Sequence, residues 1–440
     1  GRERWGCVIG CVALGLFAFE PNLIAHGQLN TTDMGVTAFG FFGTYALARY
    51  LRRPRVPTYV GAGLALGAAI ASKTSGLFWV GAYGLILVPV ALGAWRESGE
   101  CIGASIVRWA LRFVGLIALA LLTLWACYGF EVGPLVPGGV PLPAPSHWAG
   151  LVYQRANLTE GQTMFFAGSR YPGGHWLYFP LTLLLKTPLP LLFALVLGLT
   201  LAVRRGIGSH LQVYSLILPP TAYLALSMLA NLNIGHRHLL PILPFLILLA
   251  AQSVRLVRKA LVEGRTRWAW LAAVLLAWNV IGTVRIFPHY MAFFNELVGG
   301  PDGGYRYLAD SSLDWGQGFY ALRDYLDERL QDTEVDDGPV RLAAFSSIDP
   351  SWYGIAFEPF PPTSVTPVQL PSRFQPDPGL YVISIVPLQG IWTLDPDTYD
   401  WFRHRDPMAK VAHVFHVYEV TDPSRPIDRI VQCAAPVPPL

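Results

Sequence analysis

The sequence predicts a polytopic α-helical membrane bundle over residues 1–286, followed by a soluble α/β domain over 287–440. Three observations carry that expectation. Long apolar runs recur at 34–50, 58–95, 106–130, 177–203, 212–230, 238–254 and 267–286. A membrane-spanning helix needs roughly 20 such residues. Short basic turns separate the runs, and the last 150 or so residues lose the apolar pattern. The composition agrees: 53% of the 440 residues are hydrophobic and 14% charged, against roughly 25% charged in ordinary soluble domains.

The net charge of +3 is small for this length. Its basic residues sit beside apolar runs, so they imply no nucleic-acid partner. The 14 tryptophans suit interface belts or a carbohydrate or lipid site. Cys7, Cys11, Cys101, Cys127 and Cys433 form no zinc pattern and read as small apolar packers. Arg2 and Arg4 precede a short apolar run, 5–19, but no small-residue cleavage site follows before Glu20.

Lys and Arg favour the cytoplasmic side in short loops. Arg49–Arg55, Arg96–Arg112, Arg204–Arg205 and Arg255–Arg267 are therefore placed inside. With 58–95 split near Lys73–Gly76, about nine spans result, with the N-terminus inside. Four pieces then face out: Glu20–Asp33, Pro134–Trp176, Asn231–His238 and everything after about 287. No internal repeat is evident, which disfavours a transporter built from matching halves.

The polar residues concentrate in or beside these outer pieces. In FEPNLIAHGQLNTTD, Pro21 breaks the chain after Glu20, and His26 and Asp33 follow. Asp33 has two readings, a cap for the next helix or a carboxylate that binds a metal or an acceptor group. Asn30-Thr31-Thr32 and Asn157-Leu158-Thr159 are formal glycosylation sequons. Lys73, in ASKTSG, either snorkels to the interface or meets a phosphate beside Ser72, Thr74 and Ser75. The Pro134–Pro145 stretch is too rich in Pro and Gly for a regular helix; 146–167 fits a surface helix. Arg170, His175, Trp176 and Tyr178 follow in GSRYPGGHWLYFP. Lys186 lies deep in an apolar run broken by Pro188 and Pro190, where a charge is costly unless it faces protein, water or an anion. NLNIGHRHLLP opens a span with His236, Arg237 and His238. Arg237 offers a donor fork suited to phosphate, or a plain interface anchor; two histidines are too few for a metal site.

In the tail, 314–330 has an amphipathic helical pattern, and strand-like runs follow at 341–346, 380–386 and 411–420. Asp310, Asp314 and Trp315 suggest either caps or carbohydrate recognition. His413 and His416 are three apart in a strand pattern, which points them to opposite faces.

The stretches EPNLIAHGQLNTTD, SKTSGL, FPLTLLLKTPLP, GHRHLLPILPF and HYMAFFNEL…GYRYLADSSLDWGQ, with PLQG and YDWFRHRDPMAKVAHVFHVYEV later, resemble a known group. It is the bacterial protein O-mannosyltransferase-like group of integral-membrane glycosyltransferases, which are C-type enzymes. The group is similar to the protein O-mannosyltransferases and to the aminoarabinose transferase that modifies lipid A. The resemblance implies the C-type bundle and transfer of sugar from a polyprenyl-phosphate donor to an exported acceptor: protein, lipid A or cell-envelope glycan. It implies a bacterial cytoplasmic membrane location with the C-terminal domain outside. It also implies an acidic motif in the first outer loop, which this chain lacks before Glu20; an upstream part of about 70–120 residues is expected to precede residue 1. Of the residues present, Asp33 and then Glu20 are the candidate catalytic carboxylates. Lys73, Lys186, Arg237, His236 and Arg170 are the candidate donor-phosphate group. Mg2+ or Mn2+ would suit carboxylates beside a phosphate, but no pattern demands a metal. A polyprenyl-linked glycan transporter or flippase, and a non-catalytic assembly subunit, are the alternatives.

Overall fold

The computed structural model describes residues 6–99, 101–160, 163–205, 210–231, 233–332, 339–360, 376–393 and 395–421. Arg2, Arg4, Cys433 and residues 206–209 of the third basic turn lie outside the described residues. The chain divides into two compact units, Gly1–Leu313 and Asp314–Leu440.

The first unit is helical. Among the described residues, four helices are long and apolar enough to cross a membrane: Thr74–Ser98, Ile102–Cys127, His236–Val262 and Arg267–Arg285. Two bent pairs, Cys7–Ala18 with Pro21–Gln28 and Tyr178–Lys186 with Leu189–Arg204, raise that number to six. A shorter apolar helix, Val56–Ser72, adds to them. The region therefore has the character of a multi-pass membrane protein, with fewer uninterrupted spans among the described residues than the nine expected.

The shortfall has local causes. The 58–95 run breaks at Lys73 as expected, its backbone extended (φ −160°, ψ 146°), but the first piece, Val56–Ser72, has only 17 residues. The 177–203 run turns through 114° at its break, because Pro188 has no N–H to give and pushes Thr187 out of the helical region. The 212–230 run divides into His210–Leu216 and Leu218–Met228, with Pro219 and Pro220 in the first turn of the second piece. The Asp33–Arg52 helix has 20 residues, but Thr37, Thr44, Tyr45, Arg49 and Arg52 dilute its apolar character.

Small residues let these helices approach closely, the usual solution where lipid supplies no hydrophobic drive. A Cβ on Gly40 would meet the Trp79 indole at 2.2 Å, and one on Gly67 the Ala120 carbonyl oxygen at 2.4 Å. Trp79 and Tyr83 fill the space left, fully buried. Trp79 stacks on Phe245, with centroids 5.8 Å apart. Tyr83 donates its hydroxyl to the Ala62 carbonyl at 2.9 Å.

In the long loop that follows Cys127, residues 134–144 are non-helical, as expected for this stretch. Val132–Pro134 pairs antiparallel with Pro141–Pro143. The following helix is Pro145–Glu160. It ends sooner than 167 because Thr163–Phe166 pairs with Ser169–Pro172 as a hairpin. Residues 287–313, which the sequence placed with the C-terminal domain, fall within the helical unit. Their backbone and side chains saturate the broken end of the Tyr178–Lys186 helix.

The second unit is a mixed sheet with helices. Its five strands run in the order Glu358–Pro359, Arg341–Ala343, Gly379–Ser384, Phe415–Val420, Ala409–Val411. The first two junctions are parallel and the last two antiparallel. Phe360, Tyr381, Tyr399, Phe402 and Tyr418 form an aromatic core. The three strand-like runs of the sequence are the three inner strands. The helix is Phe319–Asp332 and starts later than 314, because Asp314 closes a turn instead. Its carboxylate accepts the Gly316 N–H at 2.8 Å and the Ser384 hydroxyl. Gly316 has φ 76° there.

Asp314 is fully buried. Desolvation raises its pKa to about 6, against the opposing hydrogen bonds from Ser384, Gly316 and Trp315. The sign follows from linkage: the folded state holds this proton more tightly than the unfolded state. Its contribution to stability is full below the ordinary carboxyl range and is lost as pH rises through about 6. Asp314→Asn is expected to flatten that dependence. Hydrogen exchange of the Gly379–Ser384 strand in the full chain at pH 5 and pH 7 checks it: protection falls with rising pH in wild type and not in the variant.

Candidate functional site

Four broken or capped helix ends of the first unit carry the buried charges. The Pro21–Gln28 helix starts at Glu20, which is fully buried and caps it. Oε2 accepts the Leu23 N–H and Oε1 the Asn22 side-chain amide, each at 2.6 Å. Both oxygens are thus engaged in holding the chain's re-entry, which demotes Glu20 as a catalytic carboxylate.

Asp33 opens the Asp33–Arg52 helix, but its side chain does not cap it. Thr32 is the cap residue, and it makes no side-chain cap bond. The Asp33 carboxylate instead meets Lys73 Nζ at 2.5 Å. The acid's side chain is 3% exposed and the lysine's 16%. Lys73 reaches it because the chain breaks there. The Gly76 N–H bonds back to the Lys73 carbonyl at 2.7 Å. A Cβ on Gly76 would lie 2.1 Å from the Ala69 carbonyl oxygen, so only glycine permits this turn. Two of the neighbouring hydroxyls are engaged. Ser72 bonds the Ala68 carbonyl at 2.7 Å, and Thr74 bonds Gln154.

His26 lies on the Pro21–Gln28 helix and is buried. Its ring feels the charges of Asp33, Lys186, Arg237 and Lys73. Arg237 likewise acts on Lys73, and His238 feels Lys73, Arg237 and His26. Asp33, Lys73, Arg237 and His238 therefore all lie within electrostatic reach of His26. His236 feels Lys186 and His26, is 1% exposed, and donates its backbone N–H to the Ser312 hydroxyl at 3.2 Å. Neither ring nitrogen of His236 has a hydrogen-bond partner among the described residues.

Lys186 is buried at 1% exposure. It gives Nζ to the carbonyls of Met291, at 2.8 Å, and Ser312. The Phe294 ring covers it at 4.5 Å. Arg170 lies in the Thr163–Pro172 hairpin opposite Phe165, and it is not among the charges acting on His26, Lys73 or His238. In the tail, Asp310 bonds the N–H and hydroxyl of Ser311 at 2.5 and 2.9 Å, and Asp314 closes the turn described above. Each acid of the expected carbohydrate pair is thus engaged locally. His416 is buried in its strand, while His413 sits at φ 61° in the preceding turn.

An apolar cavity of about 480 Å³ runs along the Asp33–Arg52 helix. Met34, Thr37, Phe41 and Phe42 line one wall, Phe17 and Ile247 the others. Thr37 is one turn from Asp33 and donates to its carbonyl at 2.7 Å. On that helix the lining begins at Met34, next to Asp33 in sequence; among the described residues neither Asp33 nor Lys73 lines the cavity.

Sequence reasoning missed Asn295 and Ser312. Asn295 gives its amide to the Leu184 and Thr187 carbonyls at 2.6 and 2.9 Å. A broken apolar helix leaves carbonyls that need donors, so an asparagine in an otherwise apolar stretch such as MAFFNEL was the available signal. Among the described residues, no group of three or more His, Cys, Asp or Glu side chains is placed to hold a metal ion. No model of a known protein family matches the chain, and no curated protein matches it.

Proposed function

We propose that the protein transfers a sugar from a polyprenyl-phosphate donor to an exported acceptor at the outer face of a bacterial cytoplasmic membrane. The acceptor class is an exported protein, lipid A or a cell-envelope glycan. The architecture proposed is the C-type glycosyltransferase bundle. The observation that carries this reading is the Asp33–Lys73 ion pair, with the positive charge of Arg237 acting on Lys73, on a helix whose following turns line an apolar cavity. Pair and cavity match a donor with one phosphate on a long hydrocarbon tail.

In the proposed reaction, an acceptor hydroxyl oxygen attacks the anomeric carbon. The bond from that carbon to the phosphate oxygen breaks, and its electron pair stays on polyprenyl phosphate. The hydroxyl proton passes to the Asp33 carboxylate. Lys73 and Arg237 compensate the charge of the departing phosphate. Donor binding and base activation are linked in this scheme: phosphate oxygens competing for Lys73 Nζ loosen its hold on Asp33 and free the carboxylate to take the proton. A single displacement inverts the anomeric centre.

Labelled polyprenyl-phosphate sugar, supplied to the natural full-length protein in liposomes with envelope extract, tests the reading. Label is expected in an exported acceptor, and Asp33→Asn is expected to stop it. A protein that moves the lipid across the bilayer without transfer would be a flippase, and one inert in both assays an assembly subunit; either result rejects the reading. Orientation follows from the basic turns. Alkaline phosphatase fused behind the C-terminal domain is expected to be active and a fluorescent protein there dark; the reverse would place that domain in the cytoplasm.

A further inference from the structure

We infer that Lys186 is a positioning residue, whose buried ammonium holds Ser312 and through it sets the Gly235–His238 turn that carries Arg237. The inference rests on the functional reading above for what Arg237 meets. It departs from the expectation that Lys186 itself meets the donor phosphate.

An ammonium has three donors. Lys186 Nζ gives to the Met291 and Ser312 carbonyls and lies against the Phe294 face. At 1% exposure it offers no surface to a ligand. Its backbone is equally fixed. Pro188 ends the helix and leaves the last carbonyls without helical donors. The Asn295 side-chain amide takes those of Leu184 and Thr187. The Asn295 N–H takes that of Leu185 at 2.9 Å. The Asn22 amide takes that of Lys186 at 2.7 Å. Helix end and loop thus cap each other, with the charge of Glu20 acting on Lys186 from the Asn22 side.

Ser312 carries this tie onward. Its carbonyl accepts from Lys186 and its hydroxyl accepts the His236 N–H at 3.2 Å. Next to it, Gly235 lies so close to Ser311 that a Cβ would come within 3.0 Å of its backbone and side chain. The turn 235–238 is therefore seated on 311–312, and Arg237 follows the residue bonded to Ser312. A shift of Ser312 moves the guanidinium without any contact between Lys186 and the donor.

The test uses the full chain in nanodiscs and four variants: Lys186→Met, Lys186→Arg, Ser312→Ala and the double Lys186→Met/Ser312→Ala. Two readouts are taken, hydrogen exchange of the peptide covering 233–240 and binding of unlabelled polyprenyl phosphate. Lys186→Met is expected to speed exchange in 233–240 and weaken binding roughly 5- to 30-fold. Ser312→Ala keeps the Lys186 acceptor and should reproduce much of both effects. The double variant should be little worse than Lys186→Met, because both act through one link. Lys186→Arg keeps the charge but overfills the site, and should resemble Lys186→Met. Additive binding losses with unchanged exchange in 233–240, or rescue by Lys186→Arg, would mean direct phosphate contact and overturn the inference. Unchanged exchange in Ser312→Ala overturns it even where Lys186→Met fails to fold. A wild-type chain that does not bind polyprenyl phosphate sinks the functional reading instead, and the exchange data still decide the positioning role.

Discussion

Lys73→Met is expected to cost about 3 kcal/mol of stability and to end sugar transfer. The acid it abandons is buried, and removing one partner of a buried pair leaves an uncompensated charge, at about 3–5 kcal/mol. The lower end applies because the lysine side chain retains 16% exposure, through which water reaches the pair. The double variant Asp33→Asn/Lys73→Met should recover much of that stability, since no charge is then stranded, and should remain inactive. Thermal unfolding in detergent measures the first effect and the labelled-donor assay the second. A double variant no more stable than Lys73→Met would mean that the ion pair is not what the lysine supplies to the fold.

Arg237→Ala is expected to lower transfer about 10- to 150-fold, the equivalent of about 1.5–3 kcal/mol for a charge-assisted contact that tightens as phosphate leaves. His238→Ala should cost less. The His238 ring packs edge-on to Phe179, with centroids 6.2 Å apart, and a neutral imidazole cannot compensate phosphate charge. Arg237→Lys should fall between, keeping the charge and losing the planar fork. Near-normal transfer by Arg237→Ala would remove the residue from the site. An equal loss in His238→Ala would point to damage of the whole turn.

The helical and mixed α/β character of the two regions was legible in the sequence, because apolar runs and alternating strands are local patterns. The break at Lys73 and the non-helical 134–144 stretch were legible for the same reason: charge, glycine and proline act within a few residues. The inclusion of 287–313 in the helical unit was not. It depends on Asn295 reaching the carbonyls of Leu184 and Thr187, 111 and 108 residues away in sequence. In the site, the sequence offered Asp33 and Lys73 as separate candidates and not as an ion pair, since pairing depends on the geometry of two helix ends 40 residues apart. Glu20 and Lys186 looked reactive because buried charges are rare. Their partners, Asn22, Leu23, Met291 and Ser312, turn both into fasteners of the broken helices.

Photo-cross-linking with a polyprenyl phosphate carrying a diazirine near its head tests the central claim, that one lipid-linked phosphate sits at the Asp33–Lys73–Arg237 cluster with its tail in the apolar cavity along the Asp33–Arg52 helix. Label is expected on peptides covering 26–42 and 236–248, to be displaced by unlabelled polyprenyl phosphate, and to fall sharply in Lys73→Met and Arg237→Ala. Label spread along the bundle, insensitive to both substitutions and to competitor, would contradict the account.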